Sequence, residues 1–186
     1  MSTEEMLLNG EEKMEKAINS LKKEYASVRT GRANPLILDK VVVDYYGAPT
    51  PLRQMSQVTV QDGQTLVITP YDKSIIKEIE KAMIKAELGI TPNSDGMVIR
   101  LTFPPLTEER RKEICKDVKK TAEDTKVAVR NIRRDMTDEL KKIEKADNLP
   151  EDAVKDNQDQ IQKLTDKYVK IIDEVASEKE KEVMTV

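Results

Sequence analysis

The chain has 186 residues, of which 36% are charged and 3% aromatic, and its formal net charge is −3. This charge excludes binding to a polyanion through overall charge, so such a function would depend on local sorting of charged residues. It contains no histidine and one cysteine, Cys115, which excludes histidine-based catalytic triads, zincin-type metal sites and an intramolecular disulfide. No apolar run approaches about 18 residues, so the sequence predicts no membrane span.

The first predicted element is a helix from about Thr3 to Val28. Its apolar residues recur at steps of three and four, which is the period of one face of an α-helix. We expect the helix to end in the segment RTGRANP, because Gly31 permits a positive φ and Pro35 pushes the preceding Asn34 out of the helical region. The predicted buried line of this helix consists of Leu7, Met14, Ile18, Leu21, Tyr25 and Val28.

Between Leu36 and Phe103 the pattern changes to that of strands and turns, with one short helix. We predict a strand from Leu36 to Tyr46 with a turn at Gly47, and a hairpin of residues 58–60 and 66–69 across Asp62-Gly63. A turn-rich link, 91–96, leads to a last strand from 97 to 103. The helix before that link ends at Gly89, and its predicted buried residues are Ile76, Ile79, Met83 and Ala86. Together these elements predict a small α+β domain of about 70 residues.

A second long helix is predicted from its N-cap, Thr107, to about Ala146. At roughly 100° per residue, the side chains of this helix sort into three sides. The apolar side contains Ile114, Val118, Ala122, Thr125, Val129, Ile132, Met136, Leu140 and Ile143. The basic side contains Lys112, Lys116, Lys119, Lys126, Arg130, Arg133, Arg134 and Lys141, and the acidic side contains Glu113, Asp117, Asp124, Asp135, Asp138 and Glu139. We therefore expect the apolar side to pack on partner helices and the basic side to bind a polyanion.

A third long helix is predicted from Glu151, after an interruption at Asn148-Leu149-Pro150. Its apolar residues repeat on a seven-residue rhythm and are Val154, Ile161, Leu164, Tyr168, Ile171, Val175 and Val183. Three amphipathic helices with narrow apolar seams predict an elongated antiparallel three-helix bundle. The predicted fold class is α+β, with residues 1–30 and 106–186 forming the bundle and 31–105 forming an inserted β/α/β domain.

Two crossings of the chain join the predicted domains, and both contain glycine or proline. Such paired crossings favour a hinge, although prolines also stiffen a chain and a rigid elbow is the alternative. The residues of the predicted hinge are Gly31, Asn34, Pro35, Phe103, Pro104 and Pro105.

Four motifs carry a resemblance to a known family. SVRTGRANP, VVDYYGAPTPLRQM, PPLTEERRKE and VAVRNIRRD occur in this order, and together they resemble the ribosome recycling factor family from end to end of the chain. The resemblance implies a translation factor that acts with elongation factor G after termination, splits the ribosome into subunits and releases messenger and transfer RNA. It also implies that the bundle binds RNA of the large subunit, that the smaller domain faces the elongation factor and swings about the hinge, and that the factor itself catalyses no reaction.

The resemblance further implies that the arginines of these motifs contact RNA. Guanidinium groups grip phosphates bidentately and stack on bases, and such contacts position a protein without reading much sequence. Lys119 and Lys126 join this set because they lie on the basic side of the second long helix. The predicted ribosomal RNA contacts are thus Arg29, Arg32, Arg110, Arg111, Lys119, Lys126, Arg130, Arg133 and Arg134.

The competing interpretation is a helical-bundle adaptor or cochaperone that binds protein partners, with a basic side that is only solvated. Tyr45 and Tyr46 are further candidates, either for stacking on a base or for a protein contact, although a strand tyrosine is more often half-buried packing. We expect no cofactor and no metal, and a monomer. The acidic N-terminus and the single cysteine are typical of a cytoplasmic protein.

Overall fold

Three long helices and six short strands make up the computed structural model, which describes residues 1–185. In chain order the elements are α1 (Thr3–Ala26), β1 (Val42–Tyr45), β2 (Ala48–Pro51), α2 (Leu52–Met55), β3 (Ser56–Gln61), β4 (Thr65–Pro70), α3 (Ile76–Lys85), β5 (Asn93–Ser94), β6 (Ile99–Thr102), α4 (Glu108–Asp147) and α5 (Glu151–Met184). Two 3₁₀ helices, Pro35–Lys40 and Lys73–Ile75, precede β1 and α3. The chain divides into a bundle unit, Met1–Val28 with Arg111–Thr185, and a small unit, Arg29–Arg110. This architecture confirms the predicted α+β class.

In the bundle unit, α1 and α4 run antiparallel. The Tyr25 hydroxyl near the end of α1 donates a hydrogen bond of 2.6 Å to the carbonyl of Val118, near the start of α4. Gly10, near the start of α1, lies against the side chain of Met136 farther along α4. A Cβ atom at position 10 would overlap that side chain, so a larger residue there would require the Met136 side chain to shift. The two helices therefore contact each other at this crossing.

The third helix completes the bundle by packing on both of the others. Lys126 of α4 pairs with Asp173 of α5, and Lys167 of α5 lies 3.8 Å from Glu11 of α1. Farther along α4, Nη1 of Arg133 lies 3.5 Å from Oε1 of Gln162. Because Arg133 follows Lys126 whereas Gln162 precedes Asp173, α5 runs antiparallel to α4.

The buried positions of α1 and α5 differ in part from those predicted. In α1, Met6 is buried where Leu7 was expected, and Val28 lies beyond the helix end. In α5, three predicted residues are only half-buried, Leu164, Ile171 and Val175, and the residue after each is buried instead. These buried residues are Thr165, Ile172 and Ala176. The reason is that α5 contacts two helices, so the centre of its packed face falls between two apolar lines. The Thr165 hydroxyl donates to the Ile161 carbonyl at 2.8 Å, which satisfies its hydrogen bonding.

The small unit contains an antiparallel sheet of order β3-β4-β6-β5 and a separate hairpin, β1-β2. The predicted hairpin across Asp62 and Gly63 is confirmed, and both residues have positive φ, 54° and 70°. Ile79 and Met83 of α3 are buried in the core of this unit, as predicted. The other fully buried members of that core are Leu38, Val41, Val43, Leu52, Leu66, Ile68, Ile99 and Leu101.

Several predicted boundaries in the small unit are wrong. Residues 36–40 form a 3₁₀ helix instead of a strand, because the Asn34 side chain accepts a hydrogen bond of 3.0 Å from Leu36 N and Pro35 has the fixed φ of a helix start. The prolines after Gly47 belong to β2, an edge strand, where a missing N–H is tolerated. Residues 93–94, expected in a turn, pair as β5 with β6, and α3 ends at Lys85, before Ala86.

Candidate nucleic-acid interface

The structure reproduces the three sides of α4. Thr107 accepts a hydrogen bond of 3.1 Å from Arg110 N through its Oγ1 and so caps the helix where the sequence predicts. Thr125 and Ile132, on the margin of the apolar side, are half-buried. The buried residues all belong to the predicted apolar side and are Ile114, Val118, Ala122, Val129, Met136, Leu140 and Ile143.

Two members of the basic side lie nearest the apolar side and contact α5. Lys126 and Arg133 stand at about 80° and 60° from Val118 around the helix. The Lys126 side chain is only 14% exposed and its ammonium group pairs with Asp173 and with Glu123. The Asp173 carboxylate, and then that of Glu123, raise the pKa of Lys126. Lys126 therefore holds α4 to α5, and its charge is already compensated within the bundle.

The members farther from the apolar side are open to water. Lys119, Arg130 and Arg134 stand at about 100° to 160° from Val118 and are exposed. Within residues 1–185, the guanidinium groups of Arg130 and Arg134 form no ion pair. Lys116 and Lys141 are also exposed and extend the same strip beyond the predicted site residues. These five side chains make an open basic strip along α4, and exposed positive charges of this kind suit contacts with phosphates.

At the start of α4 the two predicted arginines differ. Arg110 is exposed, in the first turn of the helix. Arg111 is half-buried, and its Nε atom is buried without a hydrogen-bond partner within residues 1–185. Arg111 and Val118 are seven positions apart and so share the packed side of α4, which explains why the stem of Arg111 is covered.

Arg29 and Arg32 lie in the irregular segment that follows α1, the first half-buried and the second exposed. Gly31 between them has a positive φ of 84°, which agrees with the prediction that the first helix ends in this segment. After them, Ala33 N donates to the Gly63 carbonyl at 2.9 Å, which attaches the segment to the β3-β4 turn.

The predicted hinge residues fall into two groups. Asn34 and Pro35 start the first 3₁₀ helix of the small unit. Phe103 is 4% exposed, belongs to the core of that unit, and its N–H donates to the Gln64 carbonyl at 2.8 Å. Pro104 and Pro105 follow it as exposed residues outside helix and strand.

Residues 1–185 also bear on metal binding, on thiol chemistry and on membrane insertion. No group of three or more cysteine and acidic side chains there is arranged to hold a metal ion. Burial and the Glu180 carboxylate raise the pKa of the Cys115 thiol, which disfavours the reactive thiolate. None of the helices in this part is long and apolar enough to cross a membrane.

Comparisons with known proteins converge on one family. The sequence model described as Ribosome recycling factor matches residues 21–184. The chain is 57% identical to the ribosome-recycling factor of Bacillus licheniformis over 186 residues, covering 100% of both chains. It is 58% identical to that of Caldicellulosiruptor saccharolyticus over 176 residues, which cover 95% of this chain and 96% of the relative.

Solved structures agree with the sequence relatives. The fold is similar to a solution structure of the ribosome recycling factor, with a TM-score of 0.81 and 37% identity over 100% of this chain and 99% of the other. It is also similar to the T. thermophilus ribosome recycling factor in models with E. coli elongation factor G bound to the E. coli post-termination complex. That similarity has a TM-score of 0.66 and 41% identity over 100% of both chains.

Proposed function

The chain belongs to the ribosome recycling factor family, and we propose from this membership that it acts with elongation factor G to dissociate the post-termination ribosome into subunits, releasing messenger and transfer RNA. The identity of 57% over the whole length of a ribosome-recycling factor carries the proposal. The related factor of T. thermophilus appears with elongation factor G in models bound to a post-termination complex, which suggests the partner. The chain works as a non-enzymatic monomer in the cytoplasm, and the GTPase supplies the energy.

The open basic strip is the part of the bundle best suited to ribosomal RNA. RNA offers phosphates and 2′-hydroxyls along a shallow groove, and unstacked bases in loops. Arg130 and Arg134 present guanidinium groups that are unpaired within residues 1–185 and can reach phosphates bidentately, and Lys119 adds a point charge. Arg133 lies at the margin of the strip, where its contact with Gln162 holds its side chain in place. Lys126 supports the strip by packing and does not itself bind RNA.

The small unit faces the elongation factor and moves relative to the bundle about the chain crossings. Asn34, Pro35 and Phe103 are bonded within the small unit, so the pivot lies outside them, at Gly31 and at Pro104-Pro105. A positive φ at Gly31 permits backbone changes that other residues resist. A push from the GTPase on the small unit then reaches the bundle on the large subunit.

Subunit splitting tests the function directly. Post-termination ribosomes are mixed with the purified chain, elongation factor G and GTP, and light scattering follows dissociation into subunits. We expect splitting only when all three are present. The proposed function is wrong if the complete mixture splits ribosomes no faster than elongation factor G and GTP alone. Splitting without GTP would contradict the proposal that the GTPase supplies the energy.

Replacement of Arg130 by glutamine tests the basic strip. We expect Arg130→Gln to weaken binding to isolated large subunits by about 1–3 kcal/mol and to reduce the slope of log affinity against log salt by about one. The measurement is co-sedimentation with large subunits across a salt series.

The matched control is Lys142→Gln, which removes one positive charge from the acidic side of α4, where Lys142 is 76% exposed. It should bind almost as wild type does. Equal losses in both variants would mean that only net charge matters and that the strip is not the interface. If the wild-type chain stayed in the supernatant at every salt concentration, a helical-bundle adaptor for protein partners would be the better interpretation.

A further inference from the structure

Along their contact, α4 and α5 carry opposite charges at a spacing of seven residues. Lys126 of α4 pairs with Asp173 of α5, and this contact sets the register of the two antiparallel helices. A step of seven residues forward along one helix and seven backward along the other keeps residues opposite each other. Such a step in either direction again leads to a basic residue of α4 and an acidic residue of α5. The opposed pairs are Lys119 with Glu180, Lys126 with Asp173 and Arg133 with Asp166.

Within residues 1–185, only the central opposed pair is closed. The Lys126 ammonium group pairs with Asp173, whereas neither Lys119 nor Arg133 forms an ion pair with a carboxylate of these residues. A closed pair holds α4 to α5, and an open pair leaves a positive charge available to a ligand. A neighbouring side chain of α5 explains why the pair of Arg133 stays open.

That side chain is Gln162, which lies between Arg133 and Asp166. Its Oε1 atom accepts a hydrogen bond of 3.5 Å from Nη1 of Arg133, and its Nε2 atom donates one of 2.8 Å to Oδ1 of Asp166. A guanidinium group only donates hydrogen bonds and a carboxylate only accepts them, so a single orientation of the amide satisfies both contacts. The amide therefore bridges two charged groups while it remains neutral itself.

This bridge has two consequences for Arg133. It engages one of the five N–H donors of the guanidinium group, which orients the group and leaves other donors for a phosphate. It also engages the Asp166 carboxylate, so the positive charge of Arg133 is not compensated by that residue. A carboxylate in place of the Gln162 amide would have the opposite effect, because it would pair with Arg133 as Asp173 pairs with Lys126.

We propose that Gln162 of α5 is a positioning residue for the binding of ribosomal RNA. Its amide orients the Arg133 guanidinium group for contact with a phosphate and keeps the Asp166 carboxylate from neutralising it. Gln162 acts through Arg133 and does not itself have to touch the RNA. The assignment rests on the function proposed above, and it makes α5 part of the RNA interface.

Gln162→Glu tests this role, and Gln160→Glu is its matched control. Gln160 is also exposed on α5, and its Nε2 atom also donates to an aspartate four residues away, Asp156, at 2.8 Å. Because Gln160 and Gln162 are two positions apart, they point to different sides of the helix. Both variants lower the net charge by one, but only Gln162→Glu places the new carboxylate beside Arg133.

Co-sedimentation with isolated large ribosomal subunits across a salt series measures both variants. We expect Gln162→Glu to weaken binding about fivefold or more and to reduce the slope of log affinity against log salt by about one, because Arg133 is then paired within the bundle. Gln160→Glu should stay within about twofold of wild type. In an Arg133→Gln background the two substitutions should have equal effects. Urea unfolding should show that both variants are folded, since both positions are exposed.

A second set of variants tests the hold on Asp166. Gln162→Leu keeps a side chain of similar size and removes both hydrogen bonds, so Asp166 is free to pair with Arg133 and binding should weaken about threefold or more. Asp166→Asn should then raise affinity more in the Gln162→Leu background than in the wild type, because only in that background does the carboxylate neutralise Arg133. Equal effects of Asp166→Asn in the two backgrounds would show that Gln162 does not shield Arg133.

The outcomes separate this inference from the proposed function. If wild type binds large subunits and Gln162→Glu binds as Gln160→Glu does, the inference is wrong although the function stands. A loss by Gln162→Glu that persists undiminished in the Arg133→Gln background would mean that Gln162 does not act through Arg133, and would also overturn it. If wild type binds no large subunits at any salt concentration, the proposed function fails and this inference fails with it.

Discussion

At the scale of single residues, distance from the packed side of α4 decides what a basic side chain can do. Lys126 lies about two helical turns from Arg133 and one turn from Arg130. Its ammonium group nevertheless pairs with two carboxylates. Arg130 and Arg134, farther round the helix, keep their guanidinium groups in water. Sequence periodicity places all of them on one basic side. Periodicity does not show that Lys126, at the margin of that side, pairs with α5, because Asp173 is distant in the sequence.

Folding shifts the ionisation of Tyr25. It is 4% exposed, and its hydroxyl donates to the Val118 carbonyl. Burial, then the carboxylates of Glu180 and Glu24, raise the pKa of Tyr25 from 10.0 to about 12. The folded state therefore favours the neutral phenol. This contribution to stability is fully present below pH 10 and is lost as the pH rises toward 12.

Tyr25→Phe tests this linkage. At neutral pH we expect the variant to lose about 1 kcal/mol of unfolding free energy, the value of one buried hydrogen bond. Between pH 10 and 12 the difference in unfolding free energy between wild type and variant should shrink. The reason is that ionisation of Tyr25 stabilises the unfolded wild type, whereas phenylalanine at this position cannot ionise. Urea unfolding at pH 8, 10, 11 and 12 measures the difference. Two pH profiles that stay parallel across this range would show that Tyr25 does not titrate as inferred.

At the scale of elements, the period of apolar residues predicted the three long helices well and their contact faces less well. Thr107 caps α4 and Glu151 begins α5, as expected. The buried residues of α5 are displaced by one position at Thr165, Ile172 and Ala176, because a helix between two neighbours packs on a face wider than one line. At two of these positions the buried residue, Thr165 or Ala176, is smaller or more polar than the residue before it, so periodicity alone selects the larger apolar neighbour. At Ile172 the preceding residue is also isoleucine, and the sequence does not distinguish the two.

Gly10 of α1 lies against the Met136 side chain of α4, and Gly10→Leu tests this contact. The new side chain would overlap that of Met136, which is buried, so we expect a loss of about 1–3 kcal/mol in unfolding free energy. In a Met136→Ala background the loss should be smaller, with a coupling energy above about 0.5 kcal/mol in a double-mutant cycle. The control is Lys22→Leu, at an exposed position of α1. Additive effects at the two sites would contradict the contact.

At the scale of the whole molecule, two units with different surfaces share one chain. The open basic strip lies in the bundle unit, and most of the exposed large apolar side chains lie in the small unit. The proposed function, in which the chain joins ribosomal RNA to a GTPase, needs such a division, because phosphates and protein surfaces require different contacts. The pivot proposed at Gly31 and Pro104-Pro105 would let one unit move while the other stays bound.

A distance measurement between the units tests the pivot. Dyes are attached at Lys16→Cys in the bundle and Lys81→Cys in the small unit, in a Cys115→Ala background, and single-molecule energy transfer reports their separation. We expect a broad distribution for the chain alone, and a shift with narrowing when large subunits and elongation factor G are added. A dye pair within the bundle, at Lys16 and Lys120, should not change. One narrow distribution under every condition would support the rigid elbow.

The sequence by itself determined the family, the α+β class, the three long helices, the hairpin across Asp62-Gly63 and the sorting of charge along α4. These features depend on motifs and spacings within one continuous stretch of chain, where local geometry is enough. Only the tertiary structure decided that residues 36–40 form a 3₁₀ helix, that Lys126 is bound to Asp173, and that α5 buries Thr165 and Ala176. Each of these depends on which atoms meet after folding, and residues far apart in sequence carry no local signal of that meeting.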